Sequence, residues 1–254
     1  MAADLVPIRL GITAGDLYTL WAPRWRDAGD EWEAFLGKDE DLFAFESVAD
    51  LAAFVRTNTD NDLTDHPGWD RVKSANAHAS KPTEKRQVDL VAVEELLSEK
   101  PTEESVSQLA ETLTVVSSIG TVCELPAVTR FFNGNPSLGL VAGGIEQFTG
   151  KSGQKRWNGI AEIVARSWDD VIAAIDEIVS TPEVDERASK LAAEELEDPF
   201  EEEPEDLSDE VDDAAAADED DADEDAEDDG DVVAPARTVV LGGDANFWEE
   251  VGID

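Results

Sequence analysis

A long acidic run is the feature that most restricts how this chain can fold. Residues 183–231 hold 27 Asp and Glu residues against two basic residues, Arg187 and Lys190, so this run supplies −25 of the chain's net charge of −42. It has few large apolar groups and repels itself, so burial cannot offset the conformational entropy lost on folding. We expect 183–231 to be a disordered acidic linker.

The acidic run separates a folded domain at 1–182 from a short segment at 232–254. The folded domain is long enough to bury one hydrophobic core, and it holds six of the seven Trp residues. In the short segment, 237–241 has the composition of a strand, although a lone strand does not fold by itself. We expect 232–254 to open a C-terminal domain that lies beyond this chain; pairing with the main sheet is the alternative.

The strong negative charge excludes several kinds of partner. A net charge of −42 opposes direct contact with nucleic acid and anionic membranes, and it attracts basic protein surfaces. There is no run of about 18 apolar residues for membrane insertion. The single cysteine, Cys123, rules out an intrachain disulfide framework and fits a reducing cytoplasm, and the first residues lack the pattern of a secretory signal. We predict a cytoplasmic protein whose partners are client proteins or basic protein surfaces.

Strand patterns are concentrated near the N-terminus. Residues 17–21, 32–36 and 42–45 are rich in aromatic and apolar side chains, and the polar stretch 37–41 is typical of a hairpin turn. Ser47 begins a Ser-Val-Ala-Asp sequence that has the spacing of a capping box for a helix. These patterns predict a small antiparallel sheet followed by a helix.

The later part of the folded domain has helical periodicity. Apolar residues recur at helical spacing over 88–99, 102–119 and 160–179, and the last range has the clearest amphipathic pattern. The Gly-rich stretch between 120 and 159 contains a short apolar run at 138–142, which predicts a buried strand. The predicted fold class is α+β, with a small N-terminal antiparallel sheet, then helices, then the disordered acidic linker.

One stretch, 144–152, resembles a phosphate-binding loop. It has five residues, rather than four, between its first Gly and its Gly-Lys-Ser sequence. The correct spacing would place Ile145 at the first position, where its side chain obstructs the loop. The stretch therefore favours a surface loop, and a nucleotide-binding enzyme is kept only as a second alternative function.

Metal-ligating and catalytic residues are scarce. His66 and His78 are the only histidines and Cys123 is the only cysteine, too few for a structural zinc site from this chain alone. Both histidines are predicted to lie in loops. Cys123 lies in an apolar stretch without a basic neighbour, which indicates a buried, inert thiol. We predict no catalytic residues, no metal, no cofactor and no enzymatic activity.

Aromatic and basic residues alternate between the first two predicted strands. Trp21, Trp25 and Trp32 fall within twelve residues, and Arg24 and Arg26 flank Trp25. Trp21 is predicted to pack in the core. Trp25 is assigned to a loop, where an exposed Trp beside Arg is typical of a protein-binding anchor; core packing with Arg stacked on the rings is the alternative. Arg24, Trp25 and Arg26 are therefore the candidate partner-binding residues.

Three sequence blocks resemble one actinobacterial family. The blocks at 4–10, 13–42 and 54–63 are similar to a family that often carries the label "primosomal protein" and includes the mycobacterial export chaperone SatS. The resemblance extends over 1–180 and continues through the acidic run into 240–254. It implies a non-enzymatic cytoplasmic chaperone or adaptor for proteins exported through the accessory SecA pathway.

The predicted role suggests a mechanism, and the resemblance implies a place in the family's domain order. A concave apolar surface would cover apolar client segments for a short time, while the acidic linker keeps the complex soluble. This chain would correspond to the N-terminal domain plus acidic linker, and the C-terminal domain tied to chaperone activity would follow the equivalent of Asp254. The alternative function is a primosome or DNA-replication accessory protein that acts through protein contacts.

Overall fold

The computed structural model describes residues 4–27, 30–39, 41–199 and 239–240, with the backbone alone described at 25–27, 30 and 239–240. The strands in these ranges are β1 (Val6–Ile12), β2 (Gly15–Asp27), β3 (Asp30–Phe35), β4 (Gly37–Lys38), β5 (Asp41–Phe43), β6 (Gln87–Asp89), β7 (Val179–Ser180) and β8 (Val239–Val240). The α-helices are α1 (Val48–Thr57), α2 (Trp69–Ser74), α3 (Val93–Ser98), α4 (Glu103–Val122), α5 (Pro126–Gly134), α6 (Gly150–Ile178) and α7 (Glu186–Glu197). Short 3₁₀ helices lie at Ala77–Ser80, Glu84–Arg86, Pro136–Gly143 and Ile145–Phe148.

β1 and β2 form the central hairpin of the main sheet. They pair antiparallel from Val6 and Trp21 to Ile12 and Gly15. Gly15 has φ +117°, which side-chain-bearing residues rarely adopt, so the turn depends on glycine. The strand order is β6-β1-β2-β3-β8; β6 runs parallel to β1 and the other pairs are antiparallel. This sheet, followed by helices, confirms the predicted α+β class.

A second small sheet joins the segment after β3 to the end of α6. Its order is β4-β5-β7, with β5 parallel to β7. Ala44 N–H donates to the Ser180 carbonyl at 3.0 Å and extends this connection. The turn between β4 and β5 begins at Asp39, whose φ of 55° is left-handed and tolerated by Asp. The hairpin predicted here is confirmed.

One large core cluster joins the main sheet to α4, α5 and α6. It includes Ile8 and Leu10 of β1, Leu113 of α4, Phe132 of α5 and Trp168 of α6. α1 packs on a smaller cluster beside it; the helix begins at the predicted cap, where the Ser47 side chain accepts from the backbone N–H three residues on. The helices are thus held mainly by burial of apolar surface, which is the dominant favourable contribution to folding.

β2 continues through the segment predicted to be a loop. It runs to Asp27, and Trp25 pairs with Trp32 of β3. The register shifts between Ala22 and Trp25, which marks a β-bulge. Pro23 lies inside the bulge; because proline has no N–H to donate, a bulge is where a strand accepts it. The loop assignment of Trp25 is therefore wrong, since the proline bends the strand without ending it.

The helix predicted at 88–99 is two separate elements. β6 pairs with β1, and Leu90 N–H donates to the Gly11 carbonyl at 2.8 Å before α3 begins. Asp89 Oδ1 accepts from Ala92 N–H at 3.0 Å and caps the turn between the two elements. Sheet pairing thus overrides the helical periodicity at the start of this range, which the sequence pattern alone does not reveal.

The Gly-rich stretch between α4 and α6 is helical rather than extended. α5 lies inside it, and a 3₁₀ helix stands at Pro136–Gly143, where a buried strand was predicted. Pro126 and Pro136 lie at the starts of these two helices, where a missing N–H costs nothing. α6 begins at Gly150, earlier than its predicted start. The strand prediction at 138–142 is therefore wrong, although Leu138 and Val141 are buried.

Helix α7 lies inside the stretch predicted to be a disordered linker. It packs on α1, so the linker prediction is wrong for this part of 183–231. Asp185 caps the helix, since its Oδ1 accepts from Ala188 N–H at 2.8 Å, and the alanines of the segment favour a helix. Residues 200–231 lie outside the described residues, and their disorder stays a prediction.

A short strand from the C-terminal segment pairs with the main sheet. β8 lies antiparallel to β3, with Val239 opposite Glu33 and Val240 opposite Trp32. At these two residues the structure has the sheet pairing that was the alternative interpretation of 232–254. The rest of that segment lies outside the described residues.

Candidate protein-binding groove

α6 forms one wall of a surface groove. Its core-facing side carries large apolar residues that are each at most 1% exposed: Trp157, Ile160, Val164, Trp168, Val171 and Ile175. Burial of a side chain of this kind stabilises by about 1.5–3 kcal/mol, so the position of the helix is firmly set. Near the C-terminal end of α6, four residues line the groove: Asp169, Ile172, Ala173 and Asp176.

The opposite wall is the chain just after β6. Leu90 N–H donates to the Gly11 carbonyl, and the Leu90 carbonyl accepts from Trp168 Nε1 at 2.8 Å. Both backbone polar groups of Leu90 are thus satisfied by neighbouring elements. This holds the next residue, Val91, in place with 55% of its surface exposed. Trp168 is therefore a positioning residue for the groove as well as a core residue.

The groove between these walls has a volume of about 380 Å³. Its lining comes from three segments that are distant in sequence, the β1–β2 turn, the residue after Leu90 and the last turns of α6: Ile12, Thr13, Val91, Asp169, Ile172, Ala173 and Asp176. This volume is at the small end for ligand pockets. The groove therefore suits a few side chains of an extended segment.

Two carboxylates stand on the α6 wall of the groove. Asp169 and Asp176 are seven positions apart, which is about 10 Å along a helix that rises 1.5 Å per residue. Asp176 Oδ1 is shielded from solvent and has no hydrogen-bond partner among the described residues, whereas Asp169 is exposed. The negative charge of the two carboxylates would favour a cationic group beside this wall of the groove.

Trp21, the tryptophan predicted to be in the core, lies in a buried polar cluster. Its ring stacks on Phe35 with centroids 5.9 Å apart, and Arg86 lies over it at 5.3 Å. Its Nε1 donates to Glu33 Oε1 at 3.0 Å. Burial raises the pKa of Glu33, and hydrogen bonds from Ser118 and Trp21 partly oppose that rise. Trp21 is 5% exposed, so its core position is confirmed.

The candidate partner-binding residues lie on β2, whereas other segments line the groove. Arg24 is half-buried, and its positive charge acts on the Glu33 carboxyl. The side chains of Trp25 and Arg26 lie outside the described residues. The role of Arg24, Trp25 and Arg26 in partner binding stays a prediction, and the structure does not bring them together with the groove.

The phosphate-loop-like stretch takes a different form. A 3₁₀ helix at Ile145–Phe148 precedes Gly150 and Lys151, which begin α6, so helical structure stands where a phosphate-binding loop requires a strand and a loop. Lys151 is exposed on the first turn of α6. The stretch is on the surface, as predicted, but it is a helix start rather than a loop.

The histidines and the cysteine take structural positions. His66 lies in the polar turn after α1, yet it is 5% exposed, and burial lowers its pKa. His78 lies in a 3₁₀ helix. Cys123 is buried, as predicted. Within the described ranges, no three His, Cys, Asp or Glu side chains are grouped so as to hold a metal ion.

None of the helices among the described residues combines the length and the apolar character needed to cross a bilayer. The longest, α6, carries charged residues along its outer side, including Asp169 and Asp170.

Comparison with known proteins points to one family. Residues 5–176 match the family model described as the SatS C-terminal domain. Among solved structures, the crystal structure of the SatS C-terminal domain in complex with bromine is similar, with a TM-score of 0.51 and 21% sequence identity over 70% of this chain and 94% of that chain. At this identity the likeness supports the fold alone. No curated protein matches the sequence.

The family match corrects one part of the resemblance seen in the sequence. We expected this chain to represent the N-terminal domain of a SatS-like protein, with the C-terminal domain beyond Asp254. The model of the C-terminal domain instead matches the folded region itself, 5–176, which contains every residue that lines the groove. The expectation rested on the resemblance of the sequence blocks, which did not identify the domain to which they belong. The chain belongs to the SatS C-terminal domain family.

Proposed function

We propose that this chain is a non-enzymatic cytoplasmic chaperone or adaptor that holds segments of proteins awaiting export through the accessory SecA pathway. The groove between α6 and Val91 is the observation that carries the proposal, because it presents apolar side chains to solvent on a rigid support. Membership of the SatS family supports it, since the sequence resembles that of an export chaperone.

The apolar floor of the groove would cover a client side chain for a short time. The apolar residues that line it are Ile12, Val91, Ile172 and Ala173, of which Val91 is 55% exposed and Ile12 is buried. A client side chain that buries about 100 Å² there would contribute about 2.5 kcal/mol, which is less than the roughly 4 kcal/mol of a millimolar complex. The contact is therefore weak by itself and released easily, which suits a chaperone that hands its client on.

The acidic wall would select clients by charge. Asp169 and Asp176 are about 10 Å apart along α6, with Ile172 between them in sequence, and a client chain in the extended polyproline II conformation advances about 3.1 Å per residue with three residues per turn. Two basic client residues three positions apart would therefore lie on one side of the client, about 9 Å apart, and would face the two carboxylates, with two apolar residues between them. The chain's net charge of −42 favours the approach of such basic segments and repels acidic ones.

A peptide-binding experiment tests the groove directly. The full chain is titrated into a labelled peptide that contains Lys-Leu-Leu-Lys, and into a matched Glu-Leu-Leu-Glu peptide, with fluorescence anisotropy as the measurement. We expect the lysine peptide to bind at least tenfold more tightly. Val91→Lys should abolish binding, and Asp176→Asn should weaken binding of the lysine peptide about tenfold, the value of a hydrogen bond to a charged group.

The chain offers a matched control for Val91. Leu191 on α7 is 60% exposed, close to the 55% of Val91, and it lies outside the groove. Leu191→Lys adds the same charge at an equally exposed apolar position. If Leu191→Lys weakens peptide binding as much as Val91→Lys does, the effect comes from net charge and the groove is not the binding site.

A second assay separates peptide binding from chaperone activity. An export-destined protein is unfolded in denaturant and diluted, and its aggregation is followed by light scattering with and without the chain. We expect wild type to suppress aggregation and Val91→Lys to suppress it much less. If the peptide binds in the groove but neither protein alters aggregation, the groove binds peptides and the chaperone role is wrong.

Arg24, Trp25 and Arg26 remain a second proposed partner contact. Trp25→Ala should weaken client binding by about 1–3 kcal/mol if the ring is an interface anchor, with little change in stability. Trp21→Ala is the internal control, because removal of its buried ring should cost about 3–5 kcal/mol of stability. Loss of stability in both variants, without an effect on binding by the folded chains, would assign both rings to the core.

A further inference from the structure

Helix α1 has a second packing face, opposite the one that it turns to the core. Toward the core it buries residues such as Phe54. On the other side, Ala49 and Ala52 form a small cluster with Ala77 of the neighbouring 3₁₀ helix. We call Ala49, Ala52, Arg56 and Ala77 the α1 acceptor face. In this structure α7 lies on it, with Ala192 fully buried in the contact.

A set of directional bonds fixes α7 on the acceptor face. Glu195 accepts from Arg56 Nη1 at 3.0 Å, from Arg56 Nη2 at 2.7 Å and from Ala77 N–H at 2.9 Å. Ser189 Oγ donates to Asp50 Oδ1 at 2.6 Å. Arg56 Nη2 also donates to the Ala75 carbonyl at 2.8 Å, a contact that does not involve α7. The receiving side is therefore partly preorganised for a carboxylate.

The contacts on α7 follow a spacing that another helix could reproduce. Ser189, Ala192 and Glu195 are three positions apart, so they lie along one side of the helix. A hydroxyl meets Asp50, a small residue fits against the alanines, and a carboxylate meets Arg56. Leu196 is partly buried and also packs against this alanine cluster. The acceptor face thus recognises a pattern of polar and small side chains on a helix, with one larger apolar contact beside it.

Few stabilising contacts hold α7 on the acceptor face. Ala192 is its one buried residue among those described, and Leu191 beside it is 60% exposed. Its last turn contains no basic residue, and the carboxylates of Glu194 and Glu197 stand near the negative end of the helix dipole. A twelve-residue helix is marginal in isolation, so α7 depends on its docking. Its occupancy of the face is therefore reversible.

The acceptor face and α7 also differ in their relation to the family match. Every residue of the acceptor face lies within 5–176, the range that matches the SatS C-terminal domain, whereas α7 lies outside it. Residues 198–231, which follow α7 directly, hold 21 Asp and Glu residues and no basic residue. A marginal helix at the start of such a charged segment is readily displaced, because like charges disfavour its compact form.

We propose that the α1 acceptor face is a helix-binding surface, that α7 is its built-in occupant, and that a partner protein competes for it with a helix carrying a small residue followed three positions later by a carboxylate. Displacement of α7 leaves the Arg56 guanidinium and Ala77 N–H available to that partner's carboxylate. The surface is distinct from the groove on α6 and does not depend on the function proposed for that groove.

The experiment uses a peptide with the sequence of residues 183–199 as the probe. It is titrated in NMR experiments into the full chain carrying Ala192→Arg, in which α7 can no longer dock, and into wild type, at about 150 mM salt to screen charge. The amides of Ala49, Ala52 and Ala77 should shift in the Ala192→Arg chain. In wild type, at least tenfold more peptide should be needed to produce the same shifts. The reason is that α7, which is tethered to the chain, competes with the peptide at an effective concentration of about 1 mM.

Two variants identify the surface and control for the added charge. Arg56→Ala in the Ala192→Arg background should weaken peptide binding about tenfold, as expected for loss of a charge-assisted hydrogen bond. Leu191→Arg adds the same charge to the exposed side of α7 and should behave as wild type. The proposal is overturned if the folded Ala192→Arg chain shows no shifts at about 2 mM peptide, or if wild type and Ala192→Arg bind the peptide equally.

Discussion

α6 and α7 are attached to the same domain by different means. α6 buries two tryptophans and four β-branched residues against the core, each at most 1% exposed. α7 buries one alanine fully, with Leu196 partly buried beside it, and depends on the carboxylate of Glu195, which accepts three hydrogen bonds. Side-chain exposure of the Arg56–Glu195 pair is 22% and 34%, so water competes with that contact.

The difference indicates which parts of the molecule are permanent and which are conditional. Apolar burial of the α6 kind is non-directional and large, so α6 should open only when the whole domain unfolds. A polar attachment with little apolar burial is directional and small, so α7 should open locally while the rest stays folded. The groove lies on the permanent helix, and the α1 acceptor face lies under the conditional one.

The largest expected effect is that of removing a ring from the permanent helix. Trp168 is 1% exposed, contacts Phe131 with ring centroids 5.3 Å apart, and donates to the Leu90 carbonyl. Trp168→Ala should lower the free energy of unfolding by about 3–5 kcal/mol, as measured by urea denaturation, because it leaves a cavity. A loss below about 1 kcal/mol would mean that α6 is not held by its apolar face.

A conservative variant separates the two roles of Trp168. Trp168→Phe retains an aromatic ring but removes the N–H, which leaves the buried carbonyl of Leu90 without its donor. We expect a loss of about 1–3 kcal/mol, the cost of one unsatisfied buried group, together with some loss of packing. In the folded variant, peptide binding in the groove should also weaken, because Val91 is no longer held in place; a purely structural role would leave binding unchanged.

The next effect concerns the conditional helix and is local. Arg56→Ala removes two of the three hydrogen bonds to Glu195. Hydrogen exchange followed by mass spectrometry should show amides of α7 exchanging about tenfold faster, with those of α6 unchanged, since one charge-assisted contact is worth a factor of that order. Faster exchange in both helices would show that α7 and α6 open together, and the division into permanent and conditional helices would fail.

Acid should also weaken the docking of α7 on α1. The hydrogen bond from Arg56, followed by that from Ala77, lowers the pKa of Glu195 below its ordinary 4.5. A carboxyl whose folded-state pKa is lowered stabilises docking at pH values above 4.5, and that contribution is lost as the pH falls through the lowered value. Exchange of α7 amides, corrected for intrinsic pH dependence, should therefore accelerate below pH 4.5.

The control for this acid effect is a side chain that cannot titrate. Glu195→Gln retains an acceptor oxygen but has no charge, so docking should be weaker at neutral pH and should no longer respond to acid through this position. If wild type and Glu195→Gln show the same acceleration on acidification, other carboxylates govern the release.

The sequence predicted the elements that have strong local signals. The strand at Trp21, the helix cap at Ser47 and the apolar face of α6 follow from composition and spacing within a few residues, and all are present. The errors occurred where distant contacts decide. β6 pairs with β1, and α7 folds in a charged run because α1 supplies an alanine patch and Arg56.

The groove could not be predicted because its parts are separated by most of the domain. Ile172 belongs to the periodic face assigned to the core, and nothing local marks it as half-buried. Val91 is one valine in a range assigned to a helix, and its exposure depends on the bonds that Leu90 makes to Gly11 and Trp168. The one local signal was the acidic side of α6, on which Asp169 and Asp176 recur at helical spacing.

The smallest expected effect concerns β8, an attachment of a third kind. Its two residues pair with β3 through the backbone alone as far as the structure describes them. A net stabilisation of about 1 kcal/mol for each backbone hydrogen bond is opposed by about 1–2 kcal/mol of backbone entropy for each residue ordered, so the two nearly cancel. Deletion of 232–254 should therefore change the free energy of unfolding of the domain by less than about 0.5 kcal/mol, as measured by urea denaturation.

A matched chain with Val239→Pro, which removes one backbone donor and keeps the length, should show an equally small change. A loss above about 1 kcal/mol in the deletion, with none in Val239→Pro, would mean that residues around β8 contribute side-chain packing to β3, and the C-terminal segment would then belong with α6 among the permanent parts of the fold.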